Sequence, residues 1–172
     1  MVLEAIVKAR APMLLVLVIL AVIVVRVATS WEALPETMAS HFDGDGVPNG
    51  WMSKLGFFGL IAVVVTLTIG MLLGAPSILP SLPRHWVSLP NRDYWLADSR
   101  AAETMQRLGE WLGWMAVLQV ALFAGVIELV LRANLAHAGL SGFAMWALLA
   151  GFMVAFGTHL ARLYRQFRLP SR

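Results

Sequence analysis

The stretch LGFFGLIAVVVTLTIGMLLGA, residues 55 to 75, carries no charged side chain, and its only hydroxyls belong to Thr66 and Thr68. A helix of that length, rising ~1.5 Å per residue, crosses the ~30 Å hydrocarbon core of a bilayer. A helix on the surface of a soluble domain needs a polar face, and this run has none. Three further apolar runs stand at residues 11 to 25, 111 to 127 and 139 to 158. The composition agrees: 59% of the 172 residues are apolar and only 13% are charged, against ~45–50% apolar in an ordinary soluble domain. The expected fold is therefore all-α, a polytopic membrane protein with one four-helix domain over residues 1–172. Its spans are placed at about 11–30, 55–75, 108–131 and 139–162, with an ordered outer loop at 31–54 and a cytoplasmic loop at 76–107.

Lys8 and Arg10, followed by an apolar core and Ala28-Thr29-Ser30, also fit a cleaved leader. A retained first helix is favoured, because the charge pattern across the spans otherwise loses its N-terminal member. Of the lysines and arginines, ten fall on the side of the termini and the second loop. Only Lys54 and Arg132 fall on the other side, Arg26 lying within the first span. The positive-inside rule then puts both termini in the cytoplasm, with the first loop outside. Trp31 and Trp51 flank the outer ends of the first two spans, while Trp111, Trp114 and Tyr164 mark inner ends of the last two. Interfacial aromatics of this kind support the same layout.

Several functions are excluded or disfavoured at this point. The chain has no cysteine, hence no thiol nucleophile and no thiolate metal site. Its cations are sorted by membrane side and form no patch interleaved with aromatics, so no nucleic acid is expected as a partner. No Ser/His/Asp set, HExxH or phosphate-cradling glycine loop occurs, so no enzyme activity and no cofactor are expected.

The outer loop contains HFDGDGVPNGWMSK, residues 41 to 54. Asp-Gly, Asn-Gly and Val-Pro are turn dipeptides, and Asn49-Gly50 is the expected site of a tight reversal. Asp43-x-Asp45-Gly46 has the opening of a calcium loop. Val47 stands where the next oxygen ligand belongs, however, and Lys54 takes the place of the bidentate Glu. No metal is expected there. The expected site for a peptide or small-molecule ligand comprises His41, Asp43, Asp45, Gly46, Asn49, Gly50, Trp51 and Lys54, with His41 and Lys54 meeting across a folded cap. In the second loop the four prolines of residues 75–95 argue against helix, and Asp98 is the N-cap candidate for the third span.

Leu34, Pro35, His41, Phe42, Gly46, Pro48, Gly50, Trp51 and Lys54 together resemble the signature of a bacterial domain of unknown function found at the N-terminus of SdpI-type immunity proteins. The pattern departs at Met38 and Ala39, where that family usually shows a proline before the His. The second loop is similar to a cytoplasmic motif of related single-domain members through Leu89, Pro90, Asn91, Asp93, Tyr94, Trp95 and Arg100. In its best-understood branch the resemblance implies a membrane protein that protects its producer against a secreted peptide toxin and relays its presence to a cytoplasmic repressor. A cytoplasmic protein partner is accordingly expected at Asn91, Arg92, Asp93, Tyr94, Trp95 and Arg100.

Within the spans, Arg26 and Glu128 both fall toward outer helix ends and are expected to pair, with Arg132 an i,i+4 competitor for the carboxylate. Polar groups through the full membrane depth are lacking, so a small transporter or an accessory subunit of a membrane complex is the second reading. Gly70-x-x-x-Gly74 is expected to pack closely within the bundle.

Overall fold

The computed structural model describes residues 2–169. Helix α1 (Val2–Ser30) leads through a 3-10 turn into strands β1 (Thr37–Phe42) and β2 (Pro48–Ser53). Helix α2 (Lys54–Ile78), the short α3 (Arg92–Trp95), α4 (Ala101–Leu135) and α5 (Gly142–Gln166) follow. Four of these helices are long and apolar enough to cross a membrane, which makes the chain a multi-pass membrane protein. Arg172, counted above among the cations, lies outside the described residues.

Helix α4 is the hub, with α1, α2 and α5 each packed against it. Three apolar clusters succeed one another along it. Leu34, Met38, Phe57 and Leu131 close the end that carries the hairpin. Val16, Val65, Ile69, Ala116 and Val120 fill the middle. Leu89, Leu96, Leu108, Leu163 and Phe167 close the opposite end. The packing in lipid relies on small residues that let helices approach. Gly113 receives the ring of Pro12 and Gly109 that of Pro76, each at a distance where a β-carbon would stand 3.2 Å from the proline Cβ. Gly70 and Gly74 do not serve this purpose: a β-carbon at either would meet nothing within 4 Å. The close-packing motif is the Gly109/Gly113 pair on α4.

The expected all-α chain gains one small sheet. Strands β1 and β2 pair antiparallel, with Thr37 opposite Ser53, Met38 opposite Met52 and Ala39 opposite Trp51. Chain reversal occurs at Asp43–Gly46 and not at Asn49-Gly50, which lies in β2. Asp43 decides this, because its side chain accepts hydrogen bonds from the backbone N–H groups of Asp45 (3.0 Å) and Val47 (2.8 Å). Gly46, at φ +80°, supplies the left-handed residue that closes the turn.

Two expectations for the second loop are also corrected. Helix α2 continues through Pro76 to Ile78, because the missing N–H costs one bond while the pyrrolidine ring fills the gap over Gly109. Beyond it the prolines permit only 3-10 turns at Leu79–Ser81 and Arg84–Trp86. Asp98 does not cap the third span. Its carboxylate takes the Arg84 guanidinium, and Arg100 occupies the N-cap position.

Candidate functional site

A two-stranded hairpin alone is marginal in water, so this one needs a seat. Met38 provides the plug: it is fully buried among Leu34, Phe57, Ile127, Val130 and Leu131. Beside it the Asn134 side chain, buried near the end of α4, grips the backbone of Ala39. Its Oδ1 accepts from the Ala39 N–H at 2.8 Å, and its Nδ2 donates to the Ala39 carbonyl at 3.0 Å and to the Val130 carbonyl at 2.9 Å. A proline at 39 would have no N–H to donate to Asn134. At the tip, the Leu140 N–H donates to the Gly46 carbonyl at 2.8 Å, joining the turn to the α4–α5 connection.

The expected ligand residues divide between scaffold and surface. His41 Nδ1 and Asn49 Oδ1 lie 2.5 Å apart across the strands, which makes Nδ1 the donor. Gly50 faces His41, and a β-carbon there would stand 2.9 Å from the His41 Cβ. Asp43 is consumed by the turn, while Asp45 is exposed and has no ion pair among the described residues. Trp51 leaves 60% of its surface exposed.

Lys54 opens α2 and is buried. Its Nζ pairs with Glu36 at 2.8 Å, donates to the Trp31 carbonyl at 3.3 Å, and stands 5.0 Å from the centre of the Trp31 ring. The expected meeting of His41 and Lys54 does not occur. The register puts Lys54 at the base of the hairpin, whereas His41 sits four residues up β1 from Thr37, about 13 Å along the strand.

Between the hairpin and the α4–α5 connection lies a cleft of about 350 Å³ bordered by Pro35, Thr37, Pro48, Trp51, Asn134 and His137. Of the expected ligand residues, Trp51 alone borders it. Asn134 and His137 were not anticipated. Asn134 had a signal, being a buried-side amide at the end of an apolar helix, but nothing in the sequence says which backbone it faces. His137 sits at φ +49°, a left-handed conformation that ends α4 and turns the chain toward the cleft.

Arg26 and Glu128 meet as expected, with Arg26 Nε 2.8 Å from Glu128 Oε2. Arg132 is no competitor but a second partner, its Nε 2.6 Å from Oε1 of the same carboxylate. Arg26 also donates to the Ser30 hydroxyl. One carboxylate shared by two guanidiniums holds α1 to α4 beneath the hairpin.

At the other end of the bundle, the motif residues of the second loop bind the chain to itself. Asn91, in the left-handed conformation at φ 53°, donates through Nδ2 to the Phe167 carbonyl at 2.9 Å, and Trp95 Nε1 donates to the same oxygen at 2.9 Å. Arg100 donates to the Tyr94 carbonyl at 2.9 Å, its guanidinium lying 3.9 Å from the centre of the Tyr94 ring. Thr104 Oγ1 completes the set by donating to the Trp95 carbonyl at 2.8 Å. Arg92 reaches the His85 carbonyl, and Asp93 points into solvent.

Residues 16–65 match the family described as a domain of unknown function (DUF1648). The match covers the second half of α1, the hairpin and the first half of α2, and stops short of Asn134 and of residues 91–100. No curated protein matches the chain. No solved structure matches it either.

Proposed function

We propose that the protein is a binding protein of sensor or immunity type in a bacterial cytoplasmic membrane, taking a peptide or small ligand in the cleft beneath Trp51. The observation that carries this reading is the cleft itself: its walls are a hairpin clamped at Met38, Ala39 and Gly46 and a helix connection fixed by the same contacts. A cavity near 350 Å³ is at the small end for ligand pockets, about 300–1,000 Å³, and suits one side chain or chain end of a peptide. Pre-formed walls spare the ligand the cost of ordering them. The exposed indole of Trp51 is the kind of side chain that anchors such contacts. Relay to a cytoplasmic partner would run to the exposed Asp93 of the second loop, since Arg92 and the other motif residues are engaged within the chain. The transporter reading has less support, because Arg26 and Glu128 are held with Arg132 at the hairpin end, Glu110 and Arg162 stand at the opposite end, and the apolar middles of the spans carry no charged residue between them.

Deletion of the gene is expected to sensitise the producer to a secreted peptide toxin. Complementation with Trp51→Ala is expected to restore at most about a tenth of the protection, a loss typical of an aromatic anchor. His41→Ala is expected to impair protection less, and Ser40→Ala to leave it intact. Unchanged sensitivity on deletion, with no partner recovered by crosslinking, would count against the whole reading.

Both termini are proposed to face the cytoplasm, with the hairpin outside. The chain has no native cysteine, so Ser40→Cys and Ser99→Cys variants give clean reporters. The first is expected to react with an impermeant thiol reagent applied to intact cells, and the second only after permeabilisation. The reverse pattern inverts the topology.

A further inference from the structure

We propose that the groove between α4 and α5, at the end of the bundle away from the hairpin, is a binding site for one anionic phospholipid. Its phosphodiester would lie on Arg107 and Arg162, and an acyl chain would run along Trp114, Leu118 and Ala155.

The groove holds about 480 Å³ and is polar at one end only. Arg107 and Glu110 come from the first turns of α4 and Arg162 from the last turns of α5, where apolar span gives way to charged helix. Leu118 lies eleven residues further along α4 than Arg107, about 16 Å into the apolar zone. The lining thus changes from guanidinium to indole to aliphatic along the direction in which a lipid changes from headgroup to chain. Tryptophan at this depth favours the interface.

The charges fit one phosphodiester. Arg162 makes no ion pair among the described residues, and Arg107 shares its charge with Glu103 while standing 5.8 Å from the centre of the Trp95 ring. Glu103 offsets Arg107, so Arg162 is the guanidinium left without a carboxylate partner among the described residues to take the phosphodiester, and Glu110 disfavours a headgroup with a second negative charge. Basic pockets between spans are where anionic headgroups bind, each arginine being worth roughly a fivefold gain in affinity. A soluble phosphate ester would use the arginines and leave the apolar wall empty.

The groove floor is pre-formed. The Trp111 and His159 rings stack 4.7 Å apart and within 7° of parallel. Each ring also bonds the other residue's backbone: Trp111 Nε1 donates to the His159 carbonyl at 3.1 Å, and His159 Nε2 donates to the Trp111 carbonyl at 2.9 Å. This double contact fixes the spacing of α4 and α5 and keeps the cleft from collapsing. The site lies at the opposite end from the hairpin and is independent of the ligand proposed there.

The test is native mass spectrometry of the purified full chain released from nanodiscs of phosphatidylglycerol and phosphatidylcholine in equal parts. One phosphatidylglycerol is expected to be retained in preference to phosphatidylcholine. That preference should fall about fivefold in Arg162→Gln and in Arg107→Gln, and should largely survive in Arg162→Lys. Leu118→Trp, which fills the apolar end and leaves both arginines, should abolish retention. Arg168→Gln removes a cation from the same helix end outside the groove and should change nothing. An equal fall in Arg168→Gln would show a diffuse surface potential and overturn the site. So would equal retention of phosphatidylcholine, unchanged retention in Leu118→Trp, or displacement of the lipid by excess glycerol phosphate.

Discussion

Replacing Asn134 with Leu is expected to release the hairpin from the helices while leaving all four spans inserted. The side chain makes three hydrogen bonds from a buried position, and two of them satisfy the N–H and C=O of Ala39, itself buried. Leucine is close in size and fits the helix at least as well, so the change isolates the loss of polar partners. Leaving a buried backbone group unpaired costs about 1–3 kcal/mol, and two are orphaned at once. The docked hairpin therefore becomes roughly 2–6 kcal/mol less stable, comparable to what holds a two-stranded ribbon in place at all. Hydrogen exchange in detergent or nanodiscs should show the Ala39 amide opening at least tenfold faster, with the Asp43–Gly46 turn following. Exchange in the middle of α4 should be unchanged. Asn134→Asp gives a second readout: its carboxylate still accepts from the Ala39 N–H but has no proton for the two carbonyls, so its effect should be of similar size. If the Ala39 amide exchanges at the native rate in both variants, Met38 alone seats the hairpin and Asn134 is incidental.

The spans were legible because hydrophobic length is a local property of the chain. Residues 55–75 needed no knowledge of their neighbours to be assigned. The pairing of Arg26 with Glu128 was legible for a related reason: a charge in lipid demands a partner, and few were on offer. The hairpin was not. Its turn dipeptides occur twice, at Asp43-Gly44-Asp45-Gly46 and at Asn49-Gly50, and the choice rests on Asp43 folding its carboxylate back onto two amides. Either placement satisfies local propensity, but only the first brings Met38 inward and presents Ala39 to a residue 95 positions away. A similar competition misplaced Asp98, a good N-cap by type, which is held by Arg84 across the second loop. Gly70 and Gly74 resembled a packing motif, yet the motif that packs, Gly109 and Gly113, is recognisable only once Pro12 and Pro76 are seen to meet it. The candidate cleft is built from two segments far apart in sequence, and Trp51 is the one residue bordering it that was expected to meet a ligand, Pro35 and Pro48 having stood out through the resemblance.

Gly46→Val is expected to undo the hairpin tip, with Gly44→Ala beside it as a silent control. The two glycines sit two residues apart in the same turn, and composition alone does not rank them. Gly46 has φ +80°, while Gly44 does not lie in the left-handed region. A non-glycine residue there costs ~1–2 kcal/mol, and more when β-branched. Space adds a second penalty. A β-carbon on Gly46 would stand 2.1 Å from the Leu140 carbonyl oxygen, which is backbone and has nowhere to move without breaking the Leu140 N–H bond to the Gly46 carbonyl. A β-carbon on Gly44 would meet nothing within 4 Å. The expected loss for Gly46→Val is therefore roughly 2–4 kcal/mol of local stability, from backbone strain and the severed contact together. Gly44→Ala should change little. Exchange of the Leu140 amide reports the contact directly: it should accelerate at least tenfold in Gly46→Val and stay native in Gly44→Ala. Binding in the cleft should fall with it, because His137 and the α4–α5 connection are held against the hairpin through this bond. Membrane insertion, fixed by the apolar spans, should be unaffected. Equal tolerance of the two substitutions would mean that the turn does not rest on the α4–α5 connection, and that the cleft walls are not pre-formed.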